Sequence, residues 1–421
     1  MKKWLTFAFA IMCCAVAGAV AAPRDDQTKF QADMKAGAEA LTKKDIAAAK
    51  RDYSEARRLA PQHPTAIYRL ALANASLGNT REALTLLHRI AAMGLHLPPT
   101  FDSSFAMLKT RESIKTEIAR NTAALCNCTT VFEGSKQPFI AEGIAFDPRG
   151  NLLLVSSVYQ RKIVAIAGGR MRGFTKALPN GLSPFSITLD PKRDRIWVAA
   201  ASLVQSHGAT AGQRGHSALL AFDLKSSALI ANIAAPSGTD LGDTALAPDG
   251  TVYATDSKGG GVYRLKTGST NLEAMTKGLS SAQGIAISRD GRTALIADYA
   301  LGLMRLDLST GKLTPLAAPD TVTTLGIDGL AALPDGGFAA TQNGTAPARI
   351  VRFHLSPDWS RVTRFEVIAR NAPAIADPSL LAVAGKSLYA VGVSQWSSFD
   401  DDKGDPARAV PPFKIVRIGL H

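Results

Sequence analysis

Short runs of alternating apolar and polar residues dominate the chain from residue 128 to its end. The pattern EGIAFDPRGNLLLVSS at 142–157 combines a short apolar strand, a tight turn rich in Asp, Pro and Gly, and a second strand of small and β-branched residues. Related segments are FSITLDPKRDRIWVAAA (185–201), GDTALAPDGTVYATDS (242–257), QGIAISRDGRTALIADY (283–299), DGLAALPDGGFAATQNG (328–344) and PSLLAVAGKSLYAVGVSQW (378–396). The interval is roughly 45 residues, and most copies precede two more strand-like runs, which is typical of β-propeller blades.

The two ends of this region complement each other. The last copy is followed only by KIVRIGL (414–420), so the sixth blade lacks a strand, whereas CTTVFEG (128–134) precedes the first copy and has no partner. A strand taken from the other end of the chain would close the ring and remove its exposed edges. The sequence therefore predicts an all-β six-bladed β-propeller over 128–421, closed across the termini.

The apolar residues change to a helical spacing between residues 27 and 123. Counted from Phe30, the helix-contact positions of a helical hairpin of about 34 residues hold Gly37, Ala49, Tyr53, Ala56 and Pro61, and a second unit begins at Pro64. The spacing predicts an all-α tetratricopeptide-like domain, with 102–123 as its polar cap. This domain either binds a partner peptide in its groove, or is a packing module that shields the propeller or mediates dimerisation.

The first residues have the features of an export signal. Lys2 and Lys3 precede an apolar run, and Ala19-Val20-Ala21 offers a cleavage site with two small residues. We therefore expect a signal peptide at 1–21, a periplasmic or secreted protein, and no membrane span after processing. The alternative is a retained membrane anchor, which needs about 20 apolar residues, a length that the run barely reaches.

Charge and cysteine content narrow the classes of partner. The net charge is +13, but the basic residues are scattered and do not alternate with stacking aromatic residues, so we predict a solvated basic surface and no nucleic acid. Cys126 and Cys128 are the cysteines that remain after processing. A Cys-x-Cys ring is small and strained, so a disulfide and free thiols both stay open.

The innermost strands of a propeller converge on a central channel, which makes the residue that opens each inner strand a candidate site residue. The six aligned positions hold Glu142, Phe185, Gly242, Gln283, Asp328 and Pro378. Two carboxylates and an amide around one axis are hard oxygen ligands, which suit Ca²⁺, Mg²⁺ or Mn²⁺, and less often Zn²⁺. The alternative is that Asp and Gly open these strands for turn formation alone.

Further polar residues fall near the same end of the predicted channel. Asp243 follows the blade-three position, and Asn343 follows a later strand of blade five. The segment 202–216 is the longest insertion within a blade that we identify from the sequence, and a loop of this length is often a lid. Its His207 and Arg214 would meet an anionic substrate, or else belong to a solvated loop. We assign these four residues to substrate binding.

Blade one opens with Glu142-Gly143, and blade five opens with Ile327-Asp328-Gly329. With six predicted blades and these two motifs, the sequence over about 130–421 resembles the gluconolactonase/regucalcin family, also called the senescence marker protein family. The resemblance implies one divalent cation bound by Glu142, Gln283 and Asp328. It also implies hydrolysis of a sugar lactone, with Asp328 as the base that activates water. Gln283 stands where the family has asparagine, and Gly242 where it has an asparagine that contacts the substrate.

Two classes of function follow from these patterns. The first is an exported, divalent-metal-dependent hydrolase of a lactone or related ester, with a small-molecule substrate at the channel mouth. The alternative is a non-catalytic scaffold, in which the helical repeats and the propeller bind a protein partner or a small ligand. A channel that binds a small ligand for sensing or transport is a third hypothesis.

Overall fold

A computed structural model describes residues 22–108 and 111–420. The signal peptide expected at 1–21 lies outside the described residues. The described part of the chain begins with a helical region, whose helices are α1 (Ala22–Thr42), α2 (Ile46–Leu59), α3 (Pro64–Ser76), α4 (Thr80–Ala92), α5 (Phe101–Ser104) and α6 (Arg111–Thr122). None of the described helices is both long enough and apolar enough to cross a membrane.

Consecutive helices of this region pack in pairs, α1 on α2 and α3 on α4. A Cβ atom at Gly37 would lie 2.6 Å from the ring of Tyr53, which is fully buried, so glycine allows α1 and α2 to approach each other. The carboxylate of Asp45 accepts a hydrogen bond from the N–H of Ala48 and caps α2. The helical pairing agrees with the sequence pattern, and the assignment to tetratricopeptide repeats stays a prediction.

Six antiparallel sheets follow, one for each blade of a six-bladed propeller. Blade one contains β3 (Ala141–Asp147), β4 (Leu152–Ser157), β5 (Lys162–Ala167) and β6 (Arg170–Gly173); blade two contains β7 (Ser183–Pro184), β8 (Thr188–Asp190), β9 (Arg195–Ala201), β10 (Ser217–Asp223) and β11 (Leu229–Ala234); blade three contains β12 (Leu241–Leu246), β13 (Val252–Asp256), β14 (Gly261–Leu265) and β15 (Glu273–Lys277). Blade four contains β16 (Ala282–Ile287), β17 (Thr293–Asp298), β18 (Gly302–Asp307) and β19 (Leu313–Pro315); blade five contains β20 (Leu330–Ala332), β21 (Phe338–Gln342), β22 (Arg349–Leu355), β23 (Val362–Arg370) and β1 (Leu125–Cys126); blade six contains β24 (Leu381–Ala384), β25 (Ser387–Val393), β26 (Lys414–Gly419) and β2 (Cys128–Glu133). Apolar side chains fill the spaces between neighbouring sheets, as Leu154 and Ile196 do between blades one and two.

The ring closes through strands from the N-terminal side of the propeller. β2 pairs with β26 and completes blade six, which confirms the closure predicted from the sequence. The preceding strand β1 pairs with the outer edge of blade five. The sequence allowed either a disulfide or free thiols at Cys126 and Cys128. They form a disulfide where the chain passes from blade five to blade six, with their Cα atoms 5.1 Å apart.

The helical region rests on one end of blade five. The inner strands of the blades surround a central channel. We call the end of the channel on this side the upper mouth; the inner strands β3, β12, β16 and β20 begin there. Helices α4 and α6 finish here, and the carbonyls of Met93 and Asn121 each accept a hydrogen bond of 2.6 Å, from Arg349 and Asn371 respectively. Propeller side chains therefore satisfy carbonyl groups that helix C-termini leave unpaired.

Neighbouring inner strands approach closely at the upper mouth. A Cβ atom at Gly143 would lie 2.3 Å from the carbonyl oxygen of Phe185, and one at Gly284 would lie 2.6 Å from that of Asp328. Both obstacles are backbone atoms, which cannot swing aside. The glycine that follows Glu142 and Gln283 is therefore required by the convergence of the blades, and not only by a local turn.

We expect Gly143→Ala to destabilise the propeller by about 1–3 kcal/mol, because the added methyl group must displace the backbone of the next blade. Urea unfolding of the two proteins measures the difference. Gly150→Ala is the matched control in the same blade, since the nearest neighbour of its Cβ atom would be 3.6 Å away. Equal stability of the two variants would contradict this account of blade convergence.

Candidate functional site at the upper mouth

Irregular strand pairing marks the upper mouth. In blades one, three and four the register of the inner strand shifts between Ala141 and Ile144, between Leu241 and Thr244, and between Ala282 and Ile285. The shifts take Glu142, Asp243 and Gln283 out of the regular ladder. Bulges of this kind re-aim side chains next to functional sites.

In blades one, three and five a carboxylate residue lies at the start of the inner strand. A hydroxyl group from the second strand bonds to the backbone at that point. The N–H of Gly143 donates to Ser156 Oγ at 2.7 Å, that of Asp243 to Thr255 Oγ1 at 2.9 Å, and that of Gly329 to Thr341 Oγ1 at 2.8 Å. These bonds satisfy backbone donors that the ladder leaves unpaired. Blades one, three and five thus present Glu142, Asp243 and Asp328 on fixed backbone.

Glu142 is almost entirely enclosed, with 8% of its surface exposed. The indole Nε1–H of Trp396 donates a hydrogen bond to its Oε2. Burial raises the pKa of the Glu142 carboxyl, and the negative charges of Asp328 and Asp377 raise it further. The pKa of Glu142 therefore depends on the charge of a carboxylate from another blade.

Asp328 receives its hydrogen bond from Asn343, whose Nδ2 lies 2.7 Å from Asp328 Oδ2. The same nitrogen lies 3.1 Å from the carbonyl oxygen of Pro378, and the hydroxyl of Tyr299 donates to Asn343 Oδ1 at 3.1 Å. Burial raises the pKa of Asp328, and the bond from Asn343 partly offsets that rise. Burial, followed by the charge of Asp328, raises the pKa of Tyr299, which keeps its proton.

Asp243 faces the channel itself. It lines an axial cavity of about 220 Å³ together with apolar residues of the inner strands, including Ile144, Ile187 and Leu330. Burial raises the pKa of Asp243 to about 7; backbone N–H groups partly offset the rise, and the charge of Asp328 adds to it. Near neutral pH this carboxyl is therefore shared between its protonated and ionised forms.

Gln283 opens blade four beside Gly242. Its Nε2 donates to Ser281 Oγ at 3.0 Å, which orients the amide. Its Oε1 lies 3.7 Å from the place that a Cβ atom of Gly242 would occupy. The absence of a side chain at residue 242 thus leaves open space on the blade-three side of this amide oxygen.

The donor set fits a hard divalent cation. Glu142 and Asp328 are carboxylates whose charges disfavour each other, and an adjacent cation would relieve that repulsion. Gln283 supplies a neutral oxygen of the type that Ca²⁺, Mg²⁺ and Mn²⁺ accept. No group of three or more His, Cys, Asp or Glu side chains within 22–108 and 111–420 is arranged to hold a metal. The proposed ligand set includes only two such groups, and it stays a prediction.

The 202–216 loop lies at the same mouth, on the side of blades one and two. His207 is exposed and stacks on Tyr159, with ring centroids 4.7 Å apart, and its Nδ1 lies 3.9 Å from Asp405. Arg214 is exposed. Neither residue makes a hydrogen bond or ion pair with Glu142 or Asp328 in the described part of the chain, so their substrate contacts stay a prediction.

The expectation that 202–216 is the longest insertion within a blade is wrong. The segment 394–413 between β25 and β26 is longer. It packs on the 202–216 loop, where Gln205 Nε2 donates to the carbonyl of Asp400 at 2.9 Å. The sequence did not reveal this insertion, because β26, the strand that follows it in blade six, lies almost at the end of the chain.

Several contacts at the upper mouth were not predicted from the sequence. The bonds of Trp396 to Glu142 and of Tyr299 to Asn343 join residues from different blades, and neither has a local sequence signal. The hydroxyls of Ser156, Thr255 and Thr341 do have one, since each belongs to the next-to-last residue of the second strand of its blade.

Comparison with known proteins adds a family match and several solved structures. A family model described as SMP-30/Gluconolactonase/LRE-like region matches residues 140–370. Regucalcin from Agrobacterium tumefaciens, a calcium-binding protein, is 17% identical with a TM-score of 0.49, covering 71% of this chain and 96% of that chain. A gluconolactonase from Xanthomonas campestris is 15% identical with a TM-score of 0.47, covering 71% and 93%, and the PQQ-bound aldose sugar dehydrogenase from Streptomyces coelicolor is 16% identical with a TM-score of 0.48, covering 70% and 100%. The search of curated proteins found no match.

Proposed function

Because the chain belongs to the SMP-30/gluconolactonase/LRE-like family, we propose that it is an exported, divalent-cation-dependent hydrolase of a lactone or related ester. The observation that carries the proposal is the proximity of the Glu142 and Asp328 carboxyl groups. These carboxylates come from blades one and five, and they lie close enough for the charge of Asp328 to raise the pKa of Glu142. Confined acidic groups with shifted pKa values are frequent at functional sites.

Glu142, Gln283 and Asp328 would hold the cation, since they bring two carboxylates and one amide oxygen to the upper mouth. When bound, a divalent cation supplies Lewis acidity toward the carbonyl oxygen of the substrate. Trp396 contributes by bonding one oxygen of Glu142, which fixes the carboxylate in a single orientation.

Asp328 is the proposed general base. The amide of Asn343 occupies Asp328 Oδ2, so Oδ1 is the oxygen left to accept a proton. That proton comes from a water molecule whose oxygen attacks the carbonyl carbon; it then passes to the leaving alkoxide as the ring C–O bond breaks. A base whose pKa is raised toward neutral pH accepts a proton more effectively and is still largely ionised there.

Asp243 and Asn343 are the proposed contacts for the substrate as it enters the channel. Asp243 in its protonated form donates a hydrogen bond to a substrate oxygen, and its pKa of about 7 keeps that form populated at neutral pH. His207 and Arg214 would act from the loop side, where a positive charge favours an anionic substrate.

The test measures hydrolysis of a panel of γ- and δ-lactones and aryl esters, with pH-stat titration of the acid released. The protein is first treated with EDTA and then supplied separately with Ca²⁺, Mg²⁺, Mn²⁺ or Zn²⁺. We expect turnover of at least one lactone that stops with chelator and returns with the cation. Absence of turnover with every cation would contradict the proposal and favour the scaffold hypothesis.

A further inference from the structure

We propose that the helical region is part of the hydrolytic machinery: through Arg349 it positions Asn343 against Asp328. This inference rests on the proposed function for the role of Asp328. It assigns Arg349 as a positioning residue and gives the helical region a task within the same chain.

The loop 343–348, which joins β21 to β22, is held by the helical region at two points. The N–H of His96 donates to the carbonyl of Ala346 at 2.7 Å. Arg349, the first residue after the loop, donates from Nη1 to the carbonyl of Met93 at 2.6 Å. The loop that carries Asn343 therefore cannot move independently of the segment that ends α4.

Arg349 has an unusual environment for a cation. It is fully buried, and no carboxylate within 22–108 and 111–420 forms an ion pair with it. It lies at the C-terminus of α4, where unpaired carbonyls give the helix end a partial negative charge. Buried charge is costly without compensation. The helix end supplies part of that compensation, and the ring of Phe365, whose centroid is 5.7 Å from the guanidinium carbon, adds to it.

A further bond of Arg349, beside those to Met93 and Gly94, leads into the propeller. Its Nε donates to Gln342 Oε1 at 2.7 Å. The amide nitrogen of Gln342 in turn donates to the carbonyls of Thr323 and Leu325, at 2.9 and 2.7 Å. Gln342 is buried, so it joins the end of β21 to the segment that leads to Asp328.

Both partners of the Asn343–Asp328 bond depend on this link. Asn343 directly follows Gln342 in the chain, and Asp328 is three residues beyond Leu325. Gly344 N–H adds a further bond of 3.0 Å to the carbonyl of Gly326, between the same two segments. Arg349 therefore sets the distance between the loop and the segment, and with it the orientation of the Asp328 carboxylate.

The experiment compares Arg349→Met with Arg370→Met in the full-length protein. Arg370 is the matched control, because it also donates to a helix C-terminal carbonyl, that of Arg120 at 3.0 Å, and pairs with Arg349 across β22 and β23. It makes no bond to the 343–348 loop. Hydrogen–deuterium exchange is followed in peptides that cover 323–328 and 343–348.

We expect exchange in these peptides to be about tenfold faster in Arg349→Met and unchanged in Arg370→Met. The affinity for Mn²⁺, measured by calorimetry, falls about tenfold in Arg349→Met only, as is usual when a residue that orients a metal ligand is lost. Arg349→Met in an Asn343→Ala background should cause no further loss of affinity, because the two residues act through one bond.

Equal exchange in the two arginine variants would overturn the inference. Should Arg349→Met fail to fold, Arg349→Lys, which keeps the charge but lacks the two separate nitrogens that bond Met93 and Gln342, makes the same comparison with the same opposing outcomes. A wild-type protein that binds none of Ca²⁺, Mg²⁺, Mn²⁺ and Zn²⁺ would refute the proposed function, whereas the exchange comparison would still decide the positioning role.

Discussion

Asp328→Asn will lower kcat for lactone hydrolysis by about three orders of magnitude, because it removes the base that takes the proton of the attacking water. The change is isosteric, and the amide of Asn343 still finds an oxygen acceptor at residue 328. KM for the substrate changes much less than kcat, since the lost group acts on the water. Steady-state kinetics with saturating cation measures both constants.

The same variant should be more stable than the wild type when the cation is absent. Asp328→Asn removes one of two charges that repel each other in a buried site, so thermal unfolding in EDTA at pH 8 shifts to higher temperature. For activity, Asp377→Asn serves as the control, since Asp377 lies at the same mouth but outside the proposed ligand set. Full activity in Asp328→Asn, or an equal loss in Asp377→Asn, would contradict the assignment.

Cation binding will stabilise the protein strongly at pH 8 and weakly at pH 5. Carboxyl groups in the unfolded chain lose their protons near pH 4, whereas Asp243 in the fold does so at about pH 7, and burial also raises the pKa values of Glu142 and Asp328. These three carboxyls therefore destabilise the cation-free protein progressively as the pH rises from about 4 to about 7. At a cation concentration 100 times Kd, binding restores about 2.7 kcal/mol.

Differential scanning calorimetry of EDTA-treated protein, with and without Ca²⁺ or Mn²⁺, measures this effect as a shift of a few degrees in Tm at pH 8. Glu142→Gln is the matched variant. It should abolish the shift, and its cation-free form should be more stable than wild type at pH 8 because one buried charge is gone. A cation-induced shift that is equal at pH 5 and pH 8 would show that the channel carboxylates are not the ligands.

Much of the architecture could be predicted from the sequence because its determinants are local. Each blade repeats a strand, a turn with Asp, Pro or Gly, and a second strand, and this alternation needs only neighbouring residues. The missing strand of blade six and the unpaired run at 128–134 predicted the closure, which β2 and β26 confirm. Alignment of the blades also placed Glu142, Gln283 and Asp328 at equivalent strand openings.

The chemistry of the site depends on contacts that no local pattern reveals. Trp396 bonds to Glu142 across 254 residues of chain, and Arg349 reaches Met93 across 256. The raised pKa values of Asp243 and Asp328 arise from enclosure by other blades, and the disulfide between Cys126 and Cys128 depends on how the chain crosses from blade five to blade six.

The sequence by itself determined the order of strands and turns, the number of blades, and which residues open the inner strands, since short-range periodicity encodes all three. Only the tertiary structure decided which of these residues share a buried environment, which partners orient them, and where the helical region rests. Burial and hydrogen bonding between distant segments arise only when the ring closes, so they appear in the assembled fold and not in any single repeat.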